Sequence, residues 1–308
     1  MIELRPTRAE DLPALSALFA ERFGHPLEPD EHDWKYRLIP GEARSRVAVD
    51  AGEVVAHAGA LKLPARWRGE DRGIWQLVDF AGTTRRRGLR PALVELGREL
   101  LHDLPRDADV PFLFGFPSER HFRLGERVFG YRPLAAIPVL GGELPSASAP
   151  PDIALGTSDR DEGRAEPVWA RCGVDGVRRS KSFLDWRYWA RPRRYYRFYR
   201  LLSGAEEGLV VFAFVGEEAW AAEVWLPASG EWYPSMLAVA ADLRATGLRA
   251  WRFWEPPLAW LRPLYEALGL RPTGERRFAG CRGRIGDPRD PIAAAAGFTF
   301  SLGDYDLV

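Results

Sequence analysis

Along the first half of the chain the spacing of hydrophobic positions switches between the two-residue period of strands and the 3.6-residue period of helices. Residues 2–5 read as a short strand. Leu12, Leu15, Leu18 and Phe19 share one face of a helix expected over 9–23, with Thr7 as its cap. Alternation predicts strands over 46–49, 54–63 and 74–81, joined by tight turns around Ala51-Gly52 and Arg68-Gly69-Glu70-Asp71. A helix over 91–104, a strand over 111–116, a helix over 119–128 and a strand over 134–140 complete the series. Because a helix separates the strands ending at Ala81 and Phe116, those two should run parallel with a right-handed connection.

The plan is then repeated. Asp33-Trp34-Lys35-Tyr36-Arg37-Leu38-Ile39-Pro40 recurs as Asp185-Trp186-Arg187-Tyr188-Trp189-Ala190-Arg191-Pro192. Ile2-Glu3-Leu4-Arg5-Pro6 is answered by Ile153-Ala154-Leu155-Gly156-Thr157, and Gly130-Tyr131-Arg132-Pro133 by Gly269-Leu270-Arg271-Pro272. Three matches in the same order mark a long-period duplication. The Gly-, Pro- and Ser-rich stretch between the copies reads as a linker, giving expected domains of 1–142 and 152–308 joined by 143–151. In the second copy, strands are expected over 196–202, 209–214 and 220–225, and a helix over 235–246. The Asp-Trp-basic-Tyr boxes occur in both copies, which favours a packing role for them.

One difference between the copies carries chemistry. In the first, the strand ending at Ala81 runs through Thr83-Thr84-Arg85-Arg86-Arg87-Gly88-Leu89-Arg90 into a helix. Unpaired amides at a helix start, the helix dipole and a glycine that lets backbone approach an anion together suit a diphosphate. Arg85, Arg86, Arg87 and Arg90 add cationic donors. Pro91 fits the first helical turn but removes one donor. The matching turn of the second copy, before residue 235, has no such basic glycine loop.

The spacing Arg85-x-x-Gly88-x-Arg90 resembles the acetyl-CoA loop of the GNAT superfamily of N-acetyltransferases, with Arg90 in place of its usual last small residue. The strand–helix order of 1–140 resembles a GNAT domain throughout, and 152–280 resembles it more loosely. Phe114-Gly115-Phe116-Pro117-Ser118 is similar to a Gly-Phe-Pro-Asn step of some members, with Ser118 where asparagine contacts the pantetheine arm. The resemblance implies an α/β mixed fold of two GNAT-like domains in tandem, each a mostly antiparallel twisted sheet flanked by helices. It also implies acetyl-CoA as co-substrate, bound by Phe80, Ala81, Arg85, Arg86, Arg87, Gly88, Leu89, Arg90 and Ser118. Main-chain donors of Asp79, Phe80 and Ala81 would polarise the thioester carbonyl. Pro263-Leu264-Tyr265-Glu266-Ala267-Leu268-Gly269 resembles a helix end whose tyrosine protonates the departing thiolate; the first copy has Glu126 there, and Tyr265, in a domain without the loop, is expected to be a packed aromatic.

For a base, Asp79 stands first, since a carboxylate in an apolar strand (Leu77, Val78, Phe80) becomes more basic as it loses water. Pairing with an arginine is the alternative. Glu119 is second, acting directly or through water, against a simple role of complementing a helix dipole. His121 is a third acceptor.

Composition narrows the rest. With 43 basic and 43 acidic residues, net charge zero, nothing favours nucleic acid or an anionic membrane as partner. Two cysteines and five histidines, none at ligand spacing, exclude a recognisable metal motif. No apolar run approaches ~20 residues, so a cytoplasmic protein is expected. The function expected is acetyl transfer to the primary amine of a small molecule or peptide, with a homodimer possible in principle. The competing expectations are a non-catalytic acyl-CoA-binding protein and an aminoacyl transferase using charged tRNA, the latter disfavoured by the zero net charge.

Overall fold

A computed structural model describes residues 2–86, 88–104, 110–147, 153, 155–158, 163–255, 258–284, 287 and 289–305. The first half contains β1 (Glu3–Pro6), α1 (Leu12–Phe23), α2 (Pro29–Tyr36), β2 (Glu42–Asp50), β3 (Glu53–Trp67), β4 (Glu70–Gly82), α3 (Arg90–Asp103), β5 (Phe112–Gly115), α4 (Glu119–Phe129) and β6 (Arg132–Glu143). The second contains β7 (Gly156–Ser158), α5 (Ala165–Arg171), β8 (Asp175–Val177), α6 (Lys181–Leu184), β9 (Tyr196–Ser203), β10 (Glu206–Val215) and β11 (Glu218–Trp225). It continues with α7 (Tyr233–Ala245), β12 (Ala250–Trp254), α8 (Leu261–Ala267), β13 (Arg271–Gly283), α9 (Pro291–Ala295) and β14 (Phe298–Thr299). These elements divide into two units, residues 1–135 with 278–296, and residues 136–277 with 297–308.

In the first unit the strands run in the order β1-β2-β3-β4-β5, followed by the end of β13. All neighbours are antiparallel except β4 and β5, which are parallel as the intervening helix requires. Alternation along β2 sends successive residues to opposite faces. Val47 and Val49 pack with Leu15, Leu18 and Phe19 of α1, while Ala48 packs with Leu96, Leu100 and Leu101 of α3. Each fully buried leucine or phenylalanine contributes about 1.5–3 kcal/mol.

Two local expectations change. Thr7 does not cap α1; a 3-10 turn at Ala9–Asp11 precedes the helix, and the Asp11 carboxylate accepts from the Arg8 amide at 2.8 Å and from Arg5 at 2.7 Å. A charged acceptor with two partners outcompetes a hydroxyl. The box beginning at Asp33 lies in α2, a helix the hydrophobic pattern did not predict because Trp34 is its one buried apolar residue.

The second unit has the matching strand order, β7-β9-β10-β11-β12-β6, again with a parallel pair, at β11 and β12. The two units exchange their last strands. The first takes Gly280–Gly283 from the second repeat, and the second takes residues 139–143 from the first. The units therefore depart from the chain-order segments 1–142 and 152–308 at these strands. Antiparallel pairing asks only for free main-chain groups on an edge, which the last strand of either repeat supplies.

The described part of the C-terminal tail folds into the second unit. β14 pairs with β8, and a 3-10 turn follows at Leu302–Asp304. Buried Arg179 donates to Glu223 of β11 at 2.9 Å and to Ser301 Oγ at 2.5 Å, and lies 2.9 Å from Asp304. Arg187 and Tyr188, from the second box, reach the Gly303 and Tyr305 carbonyls and the Glu223 carboxylate respectively. Tyr265 is buried against Phe253, with its hydroxyl pKa pushed up by that burial. Removing the one cation that the two acids of this network share should be costly. Arg179→Met is expected to lower stability by about 3–5 kcal/mol, read as a large drop in calorimetric melting temperature; an unchanged melt would show that the network carries no net stability.

Candidate functional site

The site is built on the end of β4. Pairing with β5 stops at Leu77 opposite Gly115, while β4 continues to Gly82. Val78 to Gly82 thus present an edge with no strand partner on the β5 side among the described residues. On the other side the register with β3 slips between His57 and Gly59, so that Asp79 and Phe80 bulge outward. Asp79 adopts φ +53°, the left-handed region that few side chains tolerate.

Polar groups hold that conformation. Lys35 Nζ donates to Asp79 Oδ1 at 2.8 Å, and the Tyr36 hydroxyl donates to Oδ2 at 2.5 Å. The Lys35 and Asp79 side chains are 7% and 4% exposed. Tyr36 reaches the strand only because residue 59 is glycine: a Cβ there would lie 2.3 Å from the hydroxyl oxygen. His57, fully buried on β3, sits with Nδ1 3.0 Å from the Asp79 carbonyl oxygen, so that nitrogen carries the proton. Burial, foremost, lowers the His57 pKa to about 4 and keeps the ring neutral.

Of the two expectations for Asp79, the structure shows the paired carboxylate: it is held by Lys35 and Tyr36, withdrawn from solvent, and anchors the bulge. The partner is a lysine, where an arginine was the alternative considered. Lys35, Tyr36 and His57 went unassigned in the sequence. The repeated Asp-Trp-basic-Tyr box was the available signal, but both copies pointed to packing. The structure gives Trp34 that role and gives Lys35 and Tyr36 a polar one.

Beyond β4 the loop has two halves. Its first half is tied to α1 through Glu21. The Glu21 carboxylate accepts from Thr84 Oγ1 at 2.6 Å, from the Thr84 amide at 2.5 Å and from Thr83 Oγ1 at 2.9 Å, with Arg85 Nε at 3.1 Å. These bonds, the Thr84 hydroxyl first, hold its pKa at about 2. The second half is open. The amides of Gly88, Leu89 and Arg90 have no hydrogen-bond partner among the described residues. Gly88 has φ +79°, and the Leu89 side chain is buried in the core, which turns the backbone outward. Arg85 and Arg90 are exposed beside these amides.

The other expected site residues differ in how they are held. Arg86 is held by Asp50 and by Glu53 at 3.0 Å, on the β2–β3 turn, so its charge is not offered to the loop. Arg87 lies outside the described residues. Phe80 turns its ring toward α4, 4.8 Å from that of His121 and 5.8 Å from that of Phe129, and Ala81 is buried in the α1 layer. Only their main chains belong to the open edge. Ser118 caps α4, its hydroxyl accepting weakly from the His121 amide at 3.4 Å. Glu119 is exposed and paired with Arg123 at 2.5 Å. His121 Nε2 is buried without a partner among the described residues, and burial, with Arg22 adding to it, lowers its pKa to about 4.

The first unit thus combines a parallel strand pair that ends at a bulge with a helix start whose amides are unpaired among the described residues. Residues 3–133 match the family described as acetyltransferase (GNAT) domain. The first unit is a GNAT domain. Solved structures extend the likeness over most of the chain. A GCN5-related N-acetyltransferase from Anabaena variabilis shares 14% identity, with 92% of this chain and 72% of that one covered at a TM-score of 0.65. One from Kribbella flavida shares 15%, covering 92% and 72% at 0.61. A tandem GNAT protein from the clavulanic acid biosynthesis pathway shares 15%, covering 94% of this chain and 100% of that one at 0.60. These identities speak for the fold alone, GNAT-type units in tandem. No curated protein matches the sequence. Among the described residues no helix is long and apolar enough to cross a membrane, and no cluster of three metal-ligating side chains occurs.

The Glu21 tie of this GNAT domain has a pH signature. A carboxylate held below its free value keeps its bonds above the free pKa and loses them as pH falls through the bound one. The Thr84 amide resonance should therefore titrate with a midpoint of about 2, as Glu21 does. A midpoint of about 4.3, the unperturbed value for glutamate, would show that the tie is absent in solution.

Proposed function

We propose that the first unit transfers an acetyl group from acetyl-CoA to a primary amine by direct attack of the amine nitrogen on the thioester carbon. The observation that carries this is the open edge of β4 beside the unpaired amides of Gly88, Leu89 and Arg90. Those amides, with Arg90 and with the exposed Arg85, which would share its charge between Glu21 and the ligand, suit the diphosphate. The Val78–Gly82 edge supplies main-chain donors for the amide-bearing arm and for the thioester oxygen. As the nitrogen–carbon bond forms, the carbonyl oxygen takes negative charge; the carbon–sulfur bond then breaks and the thiolate leaves. Positioning of the two reactants supplies about 7–11 kcal/mol of the barrier reduction, and one well-aimed donor to the oxyanion about 3–4 kcal/mol.

The nitrogen must shed a proton, and with Asp79 engaged the available acceptors stand in the first turn of α4. Glu119 is solvent-exposed, so its carboxylate can receive the proton through water. His121 is neutral at physiological pH, and its buried Nε2 has no partner among the described residues. Chemistry in the first unit is favoured by the state of the second. There, residues 301–305 lie against Glu223 and Trp254 at the ends of β11 and β12, the strands equivalent to β4 and β5. The connection before α7 also has no arginine to meet a diphosphate.

One observation favours a second reading, a protein that binds acyl-CoA without turnover: the carboxylate nearest the bulge is saturated. Thiol release from acetyl-CoA across an amine panel separates the two, since binding without release on any amine would favour the binder. On the transferase reading, Arg85→Ala and Gly88→Glu should each weaken acetyl-CoA binding at least about tenfold by calorimetry, through lost charge-assisted bonds and a strained, blocked turn. Unchanged affinity in both variants would remove the coenzyme assignment. Asp79→Asn should lower turnover by loosening the bulge while leaving the shape of the pH–rate profile intact. Loss of one limb of that profile would return Asp79 to the role of base.

A further inference from the structure

The two units use the same connection for opposite charges. Between β4 and α3 the first unit carries a run of arginines. Between β11 and α7 the second carries Leu226-Pro227-Ala228-Ser229-Gly230-Glu231-Trp232, with one acid and no cation. That connection fixes two indoles. Trp232 donates its ring N–H to the Pro227 carbonyl at 2.8 Å, and Trp260, just before α8, donates to the Leu226 carbonyl at 2.9 Å. Gly230 lies flat on Trp232: a Cβ there would sit 2.3 Å from the ring. Trp232 is buried beneath Gly230, so the ring surface left toward solvent is chiefly that of Trp260, its polar edge spent on a backbone carbonyl.

A cavity of about 470 Å³ opens between the starts of α7 and α8, walled by Trp232, Tyr233, Trp260, Pro263 and Leu264. Glu231 is the one charged residue in its described lining. Its carboxylate has no hydrogen-bond or ion-pair partner among the described residues, although carboxylates elsewhere in this arginine-rich chain are widely paired. Trp260 and Tyr233 are 39% and 41% exposed. The size is that of a small-molecule site. Aromatic faces attract a cation through their quadrupole, and an unneutralised carboxylate adds to this while repelling anions.

We propose that this groove of the second unit binds an organic cation, an alkyl- or arylammonium whose apolar body lies against the rings and whose charge faces Glu231. The site stands apart from the acyl-transfer reading of the first unit and does not depend on it.

The test is a ligand-observed NMR titration of the full-length protein with benzyltrimethylammonium, with benzenesulfonate and benzyl alcohol as anionic and neutral controls. The cation should bind, and the two controls should bind at least about fivefold more weakly or not at all. Trp260→Ala should weaken the cation at least about fivefold, and Trp260→Phe should restore most of the loss. Glu231→Gln, at an exposed position that leaves the fold undisturbed, should weaken it about threefold or more and narrow the gap to benzyl alcohol. Equal binding of all three probes, no binding of the cation, or indifference to Glu231→Gln would each overturn the proposal. So would concentration-dependent self-association that is abolished by Trp260→Ala, since the face would then be a contact between copies of the chain.

Discussion

The site of the first unit depends on one buried carboxylate. Asp79 sits where β4 must turn its main chain outward, in a backbone region that costs of order 1–3 kcal/mol for a residue other than glycine. Lys35 and Tyr36 offset that cost by holding the carboxylate at 2.8 and 2.5 Å, and His57 holds the carbonyl of the same residue. Side chain and main chain are thus fixed from two elements at once, α2 and β3. The strand edge is preorganised before any ligand arrives, which is what stabilisation of a developing oxyanion requires.

Duplication makes the same device visible twice. In the second unit Tyr188 donates to Glu223 on β11, just as Tyr36 donates to Asp79 on β4, and a register slip again marks the strand. The cation differs. Lys35 serves the first anchor from within its box, whereas Arg179 serves the second from outside it, and Arg187 grips the carbonyls of Gly303 and Tyr305. A lysine-to-arginine change within the box therefore coincides with capture of the C-terminal tail. The longer, forked guanidinium can serve two carbonyl acceptors that a single ammonium on a shorter reach would not match.

The sequence made the fold legible because its strands alternate cleanly and its parallel pair is separated by a helix. In the first repeat the elements missed were those without an apolar stripe, α2 and the 3-10 turn before α1, where local charge decides the conformation; in the rest of the chain α5, β8, α6, β12, β13 and α9 also went unassigned. The exchange of last strands was invisible because both repeats end in similar strands, and pairing partners leave no mark on either. At the site, the loop was readable from Gly88 and its arginines. The Lys35–Asp79 anchor was not, because it joins residues far apart in sequence and its one signal, the repeated box, is shared with a copy that lacks the loop. Glu21 likewise looked like any surface acid of a helix; only the fold brings it to the Thr84 amide. Arg86 shows the reverse, a residue of the right type and place whose charge is spent on Asp50 and Glu53.

The central claim is that an anionic coenzyme docks where β4 gives way to α3, with its thioester against the open edge of β4. A crystal structure of the chain with acetyl-CoA tests this most directly. The account predicts diphosphate oxygens within hydrogen-bond distance of the Gly88, Leu89 and Arg90 amides, and the thioester beside the Val78–Gly82 main chain with the Lys35–Asp79–Tyr36 anchor intact. A diphosphate bound elsewhere, or a thioester seated at the second unit with this edge uncontacted, would contradict it.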